Sequence, residues 1–433
     1  MKQNRIALLL ACALFAGISA GAQELPAAFE RILSDPEYAY LEYRDYPVPD
    51  CKPSAPPKGY KPVYISHYSR HGSRYNYIQS SYDNLKALFE KALAADVLTG
   101  DGKALARKYL EAFPYFDLHA GDLTRKGWDQ HYGIGKRMYQ NYREVFRKRP
   151  VIDARASTVQ RSIMSMVACC DALEERDSKL QITKQTSESW LHIMNPHHST
   201  KPFAELAKDG KKAYGKEWEA EMKALQAKII PAKEYLKKYF TDLDWVKRNF
   251  GLTKLEVELY RLMISTECTD VPYHFTELFT PEELCGLWEW SNLLYYNKWG
   301  PGHNGLNHSF YIAAYLLEDI LDKAEEDLAD GRTGARLRFG HDTPIGMLLT
   351  LLDMDGWNKG AEHPEDVKYI YDFSNVPMAA NLQLIFYRNR KGDTLVKMML
   401  NEKDITPYYR WEDFLAKGRA TVASAKQKME EYL

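Results

Sequence analysis

The sequence predicts an α/β fold with a mostly parallel sheet and an inserted helical region. In the first half of the 433-residue chain, strand-like segments alternate with helical ones, an order typical of parallel sheets. Residues 202–327 are rich in lysine and leucine and give little strand signal. Strand patterns then return, so the helical region interrupts the sheet-forming sequence.

Six segments have the composition of β-strands. Each is a short run of β-branched, aromatic or aliphatic residues bounded by glycine, proline or polar residues. The last two flank a polar turn at residues 388–393, the pattern of a β-hairpin. The predicted strands cover residues 63–66, 150–156, 180–183, 336–340, 382–387 and 395–400.

Helices are predicted where apolar residues recur every three or four positions. Ser157 and Thr158 can cap the helix after the second strand, and Pro344 can start the helix after the fourth. The predicted helices outside the inserted region cover residues 26–33, 80–93, 104–113, 124–148, 159–175, 345–354 and 409–433.

The N-terminus has the pattern of a secretory signal peptide. Lys2 and Arg5 precede an apolar stretch at residues 6–18, and small residues at Ala20 and Ala22 indicate cleavage after Ala22. The stretch is shorter than the roughly 20 residues that a membrane span needs. The sequence therefore predicts export to the periplasm or the exterior, with lipid attachment at Cys12 as an alternative.

Three regions follow from these patterns. Residues 1–22 are the predicted signal peptide, and residues 201–327 are the predicted helical domain, inserted between the two parts of an α/β core. Those two parts are residues 23–200 and 328–433.

Charge and cysteine content limit the possible functions. With 58 basic and 59 acidic residues, the chain lacks the basic excess of a protein that binds nucleic acid in bulk. Any anion site must therefore be a local cluster. Outside the predicted signal peptide the cysteines are odd in number, so at least one thiol has no partner within the chain. Cys268 and Cys285 could close a disulfide loop, whereas Cys169 and Cys170 fit buried helix packing.

The segment Arg70-His71-Gly72-Ser73-Arg74 follows the first predicted strand and carries the clearest functional signal. A neutral imidazole can attack phosphorus. The planar guanidinium groups of two arginines match the geometry of phosphate oxygens. Glycine allows the backbone to approach an anion closely. Together these residues predict phosphoryl chemistry at His71.

Two further polar groups follow other predicted strands. Arg161 lies at the start of the helix after the second strand, and His341-Asp342 directly follow the fourth. Ligands of open α/β sheets bind beyond the carboxyl ends of the strands, so these distant groups should meet His71. Arg155 fits a structural ion pair better than a phosphate contact, and His67 fits packing.

These motifs resemble those of the histidine acid phosphatases, branch 2 of the histidine phosphatase superfamily. The family pattern Arg-His-Gly-x-Arg-x-Pro is met up to Arg74, but Asn76 replaces its proline. Arg161-Ser162 and His341-Asp342 are similar to the family's other two motifs. The resemblance implies a three-layer α/β/α core like that of phosphoglycerate mutase.

Within the family, the chain is most similar to the multiple inositol-polyphosphate phosphatases and histidine-type phytases. Residues 278–284, Tyr295-Tyr296, Gly300 and residues 400–403 carry this likeness. The inositol-polyphosphate subgroup usually has His-Ala-Glu at the proton-donor site, where this chain has His341-Asp342-Thr343.

The resemblance implies a role for each site residue. His71 would be the nucleophile that forms a phosphohistidine, and Asp342 would be the proton donor. Arg70, Arg74, Arg161 and His341 would bind the phosphoryl group, and neither a metal ion nor another cofactor is expected.

The expected substrate is a small phosphomonoester, an inositol polyphosphate such as phytate. A broad acid phosphatase acting on sugar phosphates and a binding protein that has lost catalysis are the alternatives. Because an ordinary aspartic acid titrates near pH ~4, activity should favour acidic pH.

Overall fold

The computed structural model describes residues 24–196 and 215–432. The predicted signal peptide lies outside the described residues, as does the expected domain boundary near residue 200.

A mixed sheet forms the centre of the described structure. Its strand order is β3-β2-β4-β1-β5-β6-β7, with β8 paired to β6. β1 to β4 run parallel, whereas β5 to β8 pair antiparallel with their neighbours. The strands are β1 Lys61–Arg70, β2 Val151–Ala156, β3 Gln181–Thr186, β4 Thr333–Gly340, β5 Asn381–Arg388, β6 Thr394–Leu400, β7 Lys403–Asp404 and β8 Tyr409–Arg410.

The predicted α/β class and all six predicted strands are confirmed. β1 continues to Arg70, beyond its predicted end, because it pairs with β4 on one side and β5 on the other. Such pairing holds polar residues in a strand that their own preference would not extend. The two-residue strands β7 and β8 were not predicted, since two residues are too few to show a periodic pattern.

Helices cover both faces of the sheet and form the inserted region. The helices of five or more residues are Ala27–Ser34, Gln79–Ala94, Gly100–Ala112, Arg125–Asn141, Arg143–Lys148, Gln160–Arg176, Gly215–Ile229, Ala232–Leu236, Leu243–Asn249, Leu252–Thr266, Pro281–Trp299, Ala314–Asp330, Asp342–Leu351 and Trp411–Tyr432. Shorter helices are Leu191–Met194 and Val367–Ile370, and 3₁₀ segments include Pro36–Tyr43 and Ser309–Ala313.

Several predicted helices have different boundaries in the structure, and two of these differences have a local cause. The helix predicted over residues 124–148 breaks at Tyr142, whose backbone leaves the helical region. The helix predicted from residue 345 begins at Asp342, with His341 as its N-cap. Pro344 is tolerated there because backbone N–H groups in the first turn have no intrahelical partner.

Side chains of alternate strand residues pack into two layers, as the pleat of a strand requires. Ile65, Leu337 and Ile385 point to one face, where they pack with residues of the Arg125–Asn141 and Gln160–Arg176 helices. Tyr64 and Leu384 point to the opposite face and join a larger core. The result is the three-layer α/β/α arrangement expected from the sequence.

The region after residue 215 is helical up to Asp330, as predicted. Thr280 and Glu283 form a reciprocal capping box at the start of the Pro281–Trp299 helix. Apolar side chains of this region, such as Trp288 and Leu259, belong to the same core as Tyr64 of β1. The division at residues 201 and 327 stays a prediction.

The disulfide that the sequence allowed between Cys268 and Cys285 does not form, because each of these thiols is unpaired. Cys268 lies instead with its Sγ 2.9 Å from the carbonyl oxygen of Tyr43. Cys169 and Cys170 are fully buried in a helix, as predicted.

Among residues 24–196 and 215–432, no helix combines the length and apolar character needed to span a membrane.

The helices Arg125–Asn141 and Gln160–Arg176 pack closely against each other at Gly135. A Cβ atom at this position would lie 2.4 Å from the carbonyl oxygen of Cys169, so an alanine there would push the helices apart. We expect Gly135→Ala to lower the free energy of unfolding by about 1–3 kcal/mol, measured by urea denaturation.

Gly133 is the matched control on the same helix. A Cβ atom there would meet only the Arg137 side chain, which can move. Gly133→Ala should leave stability unchanged or raise it by up to about 1 kcal/mol through helix propensity. Equal effects at both positions would contradict the packing argument.

Candidate active site

The candidate site lies where three adjacent parallel strands end. The register of β1 and β4 places Arg70 opposite Gly340, and β2 ends with Ala156 opposite Phe339 of β4. The residues that follow the strands therefore meet at one edge of the sheet. His71 N–H donates to the carbonyl of Gly340 at 3.0 Å, which joins the first and last predicted motifs directly.

His71 presents an imidazole with a defined tautomer. Its Nδ1 lies 2.9 Å from the carbonyl oxygen of Gly72. A carbonyl oxygen can only accept, so Nδ1 carries the hydrogen and Nε2 keeps its lone pair. Burial, followed by the charges of Arg161, Arg70 and Arg74, holds the pKa of His71 well below its usual range. The ring therefore remains neutral, which a nucleophile requires.

Gly72 has a different role from the one predicted. A Cβ atom at residue 72 would lie 2.3 Å from the backbone oxygen of Gly127, at the start of the Arg125–Asn141 helix. A Cβ atom at Gly127 would likewise clash with the backbone of Ser73. The glycine is thus required for close packing of the His71 loop on a helix, a reason that the sequence did not reveal, and its role in anion approach stays a prediction.

Arg70 is fully buried and connects three segments. Its Nη1 donates to the carbonyl oxygens of Glu42 and Val376, and its Nη2 lies 3.1 Å from Oδ2 of Asp342. Because these contacts come from three directions, the guanidinium has one orientation in the site.

Arg74 is held by aromatic residues. Its Nη1 donates to the hydroxyl of Tyr43 at 3.1 Å and to the backbone oxygen of Tyr75 at 2.9 Å. The rings of Tyr43 and Tyr77 each lie 4.9 Å from its guanidinium carbon, at cation–π distance. Arg74 is therefore held in place by tyrosines, and the nearby charge of Asp342 helps to keep it protonated.

Arg161 reaches the same cluster from the helix after β2. Burial, reinforced by the positive charge of Arg74, lowers its pKa to about 10. The positive charge of Arg70 also lowers this pKa, as a like charge nearby does. The Nε atoms of Arg70, Arg74 and Arg161 are buried and have no hydrogen-bond partner within the described ranges. They are donors that an oxyanion could use.

His341 completes the ring of donors. Its ring centroid lies 5.5 Å from that of His71, in an edge-to-face arrangement. Its Nε2 is 3.2 Å from Oγ of Ser157, and its backbone N–H donates to the hydroxyl of Tyr68 at 3.1 Å. The residue is also the N-cap of a helix, a position where the helix dipole favours anions.

Asp342 is the acidic member of the cluster. Its Oδ1 accepts from the backbone N–H of Thr343 at 2.8 Å, and its Oδ2 faces Arg70. Burial alone would raise its pKa, but the charges of Arg70, His341 and Arg74 outweigh burial and lower it to about 2.

In the free site Asp342 is therefore ionised even at mildly acidic pH. The sequence-based expectation of an ordinary aspartic acid that is protonated near pH ~4 needs correction. Negative charge from a bound phosphoryl group would raise this pKa, because a like charge disfavours the carboxylate.

All six predicted site residues thus lie in one cluster, which is strongly cationic and largely closed to solvent. Such donors fixed before the ligand arrives can stabilise a tetrahedral oxyanion without reorganisation. The nucleophilic nitrogen of His71 and the carboxylate of Asp342 both belong to this cluster. Such a cluster can transfer a phosphoryl group to the nitrogen of His71, with the carboxyl group of Asp342 as the nearby acid.

The sequence did not reveal four neighbours of this cluster. Glu42 and Tyr43 come from the N-terminal segment, Tyr68 from β1, and Tyr295 from the inserted helical region. The charge of Asp342 contributes to the raised pKa values of Glu42 and Tyr295. Among these residues only Tyr295 belongs to a segment that the sequence marked, and that segment was marked for its likeness to the subgroup and not for a place in the site.

Three residues weighed from the sequence have structural roles. Arg155 forms a two-point ion pair with Asp153 and lies over the ring of Trp190, as expected. His67 is buried against Phe339. Asn76 is buried, and its side chain accepts from the backbone N–H of Ile78 at 3.2 Å, so it shapes the loop.

The low pKa of Asp342 gives a test with inorganic phosphate. The carboxylate should repel a bound phosphate, so Asp342→Asn should bind phosphate more tightly, by about tenfold or about 1.4 kcal/mol near pH 6–7. Isothermal titration calorimetry measures the affinity.

Asp330→Asn is the control, because Asp330 forms an exposed ion pair with Arg332 just before β4, at the opposite end of that strand from His341. Its phosphate affinity should match that of the unmodified protein. An unchanged affinity in Asp342→Asn would show that Asp342 carries no charge near the bound anion.

Several solved structures are similar to this chain. The multiple inositol polyphosphate phosphatase of Bifidobacterium longum, in complex with inositol hexasulfate, has 21% identity and a TM-score of 0.74, and covers 86% of this chain and 93% of its own. The phytase of D. castellii has 15% identity and a TM-score of 0.61, with coverage of 90% and 85%. A Hafnia alvei phytase in complex with tartrate has 12% identity and a TM-score of 0.51, with coverage of 86% and 98%. These likenesses confirm the fold.

No match was found among curated protein sequences. The family model of the histidine phosphatase superfamily, branch 2, matches residues 68–401, which is well over half of the chain. The matched range begins in β1 before His71 and extends past Asp342 to the end of β6. This chain therefore belongs to branch 2 of the histidine phosphatase superfamily and is a phosphomonoester hydrolase.

Proposed function

We propose that this protein is an exported phosphomonoesterase that acts through a phosphohistidine at His71 on inositol polyphosphates such as phytate. The observation that carries the proposal is the state of His71. A neutral ring, with its Nδ1 hydrogen held by Gly72, faces a cluster of guanidinium groups that can hold a phosphoryl group.

In the first step, Nε2 of His71 attacks phosphorus. A P–N bond forms, the P–O bond to the leaving group breaks, and Asp342 gives its proton to the departing oxygen. Arg70, Arg74, Arg161 and His341 hold the phosphoryl oxygens and stabilise their charge during transfer. Bound phosphoryl charge raises the pKa of Asp342, so substrate binding itself favours the protonated acid.

In the second step, water attacks the phosphohistidine. The P–N bond breaks as the water oxygen bonds to phosphorus, and Asp342 accepts a proton from the water while the arginines hold the phosphoryl oxygens; inorganic phosphate then leaves. The carboxyl group thus returns to the state in which it began the cycle. The three guanidinium groups supply positive charge in this scheme, so it needs no metal ion.

The choice of inositol polyphosphate is supported by the similarity of this fold to that of a phosphatase described with inositol hexasulfate. Segments such as Tyr295-Tyr296 add to this, because Tyr295 approaches the acid of the site. The sequence His341-Asp342-Thr343 differs from the His-Ala-Glu of that subgroup. A broad acid phosphatase is therefore the second candidate, and substrate comparison separates the two.

Export is supported by the sequence pattern of residues 1–22. The same pattern leaves lipid attachment at Cys12 as an alternative.

The phosphohistidine predicts a trappable intermediate. Acid quench of the protein during turnover of a ³²P-labelled aryl phosphate should leave label on the wild type and none on His71→Ala, because no other nucleophile occupies that position. His67→Ala is not a suitable control, since His67 is buried in the core. His119→Ala is suitable, because His119 is exposed and outside the cluster, and it should keep the label.

Absence of label on the wild type, with turnover still present, would contradict a covalent mechanism. Absence of both label and turnover would favour a protein that only binds phosphorylated ligands.

Substrate comparison tests the inositol preference. With several phosphate groups, phytate can make more charged contacts than a simple aryl phosphate, so its kcat/KM should be higher by at least about tenfold at moderate ionic strength. This advantage should shrink as salt is added, since exposed charge contacts are screened. Comparable kcat/KM values for phytate, sugar phosphates and aryl phosphates would favour the broad acid phosphatase.

A further inference from the structure

Glu42 is an acidic side chain of the site that the scheme above does not use. It lies at the end of the 3₁₀ segment Pro36–Tyr43, far from every motif in the sequence. Its backbone oxygen accepts from Nη1 of Arg70, while Nη2 of the same guanidinium faces Asp342. One arginine therefore stands between the residue that bears this carboxyl and the proposed proton donor.

The chain adopts a strained conformation to place Glu42. The preceding residue, Leu41, is fully buried and has φ 50° and ψ −120°, a region that a leucine rarely occupies. Strain of this kind persists only where surrounding contacts determine it, and it concentrates at functional sites. Here it turns the backbone so that the Glu42 carbonyl meets Arg70.

The carboxyl group of Glu42 has a hydroxyl partner from another part of the fold. Tyr295 of the Pro281–Trp299 helix donates a hydrogen bond to it. The ring of Tyr295 is stacked on Phe373, with centroids 4.0 Å apart and planes within 3°. That stack fixes the hydroxyl, so the Glu42 carboxyl has a defined position beside the site.

The pKa values of the Glu42 and Asp342 carboxyl groups are shifted in opposite directions. Burial raises the pKa of Glu42, although Tyr295 and Arg70 oppose this, whereas the cationic cluster lowers the pKa of Asp342. The charge of Asp342 also disfavours ionisation of Glu42. Of the two carboxyls in the free site, Glu42 therefore takes up a proton more readily than Asp342.

Charged and titratable groups face Glu42 from every neighbouring element. These groups are Tyr43 next to it in the chain, Arg70 from β1, Tyr260 and Arg261 from the Leu252–Thr266 helix, Tyr295, and Asp342. The tyrosines have raised pKa values, and so does Arg261, so the two carboxyls are the members of this set whose protonation the binding of an anion can change at mildly acidic pH.

We propose that Glu42 and Asp342 form a carboxyl pair that shares one proton across Arg70. Glu42 holds the proton in the free site, and Asp342 holds it when substrate is bound. This inference rests on the proposed phosphatase mechanism, and it makes Glu42 a positioning residue for the catalytic proton.

The redistribution follows from charge. Asp342 adjoins His341 in the phosphoryl pocket, so the incoming negative charge raises its pKa more than that of Glu42. Asp342 then takes a proton while Glu42 loses one, by exchange through solvent, and no net proton is consumed. In both states Arg70 faces one carboxylate and one neutral carboxyl. Asp342 gives its proton to the leaving oxygen in the first step and takes a proton from the attacking water in the second.

The pair predicts a specific pH dependence. A lone Asp342 with a low pKa would lose its proton as pH rises through the mildly acidic range, even with substrate bound. Coupling to Glu42 means that the pair retains one proton to higher pH. The rate of His71 phosphorylation should therefore persist towards neutral pH in the wild type. In Glu42→Gln, its alkaline limb should move to lower pH by about one unit.

The experiment measures the rate of His71 phosphorylation by rapid acid quench between about pH 4 and about pH 8, with an alkyl phosphate and an aryl phosphate. Glutamine keeps the size of the side chain and an oxygen that accepts from Tyr295. With the alkyl phosphate near pH 7, Glu42→Gln should react about tenfold more slowly than the wild type. With the aryl phosphate, whose oxygen departs without a proton, the change should be less than about twofold.

Glu256→Gln is the matched control. Glu256 is a buried carboxyl with a pKa raised to about 7 by burial and by Glu283, but it interacts with Lys238 and not with Asp342. Its pH profile should match that of the wild type. Glu42→Asp keeps a titratable carboxyl and should restore most of the alkaline limb, which gives a second measurement if Glu42→Gln folds poorly.

Superimposable profiles for the wild type and Glu42→Gln would overturn the pair. An equal loss with both substrates at every pH would also overturn it, because that result indicates only a structural role. Failure of the wild type to form phosphohistidine would instead refute the proposed function, so the two failures can be told apart.

Discussion

The parallel pairing of β1 with β4, in the register that sets Arg70 opposite Gly340, is the constraint on which the site depends. Side chains separated by most of the chain become neighbours because each follows the last residue of its strand. A shift of one residue would turn every side chain of the strand to the opposite face of the sheet. The packing of Ile65 and Leu337 on one face and of Tyr64 on the other makes such a shift costly.

This arrangement concentrates positive charge in a buried place. Arg70, Arg74 and Arg161 repel one another, and the lowered pKa of Arg161 reflects that repulsion together with burial. The fold offsets the cost with backbone carbonyls, aromatic faces and one nearby carboxylate, rather than with a full set of ion pairs. The site therefore retains unused hydrogen-bond donors and a net attraction for anions, and both properties suit a doubly charged phosphoryl group.

The same charges control the acid. The cluster that holds a phosphoryl group also keeps Asp342 ionised before substrate arrives, so binding and proton donation are linked through one set of electrostatic interactions. Glu42 lies beside this cluster: its backbone oxygen accepts from Arg70, and its carboxyl group interacts with the charges of Arg70 and Asp342. Contacts of this kind come from the N-terminal segment and from the helical region, and they show why those parts of the chain matter to the chemistry.

The sequence by itself determined the α/β class, the six longer strands, and the six residues at the strand ends, because hydrophobic periodicity and a local motif are both properties of neighbouring residues. It could not determine why Gly72 must be glycine, since the restricting atom belongs to Gly127 on another element. Nor could it reveal that Cys268 stays unpaired, that Asp342 has a lowered pKa, or that Glu42 and Tyr295 approach the site. Each of these depends on distances between remote segments, and only the tertiary structure decides such distances, because packing and charge act through space rather than along the chain.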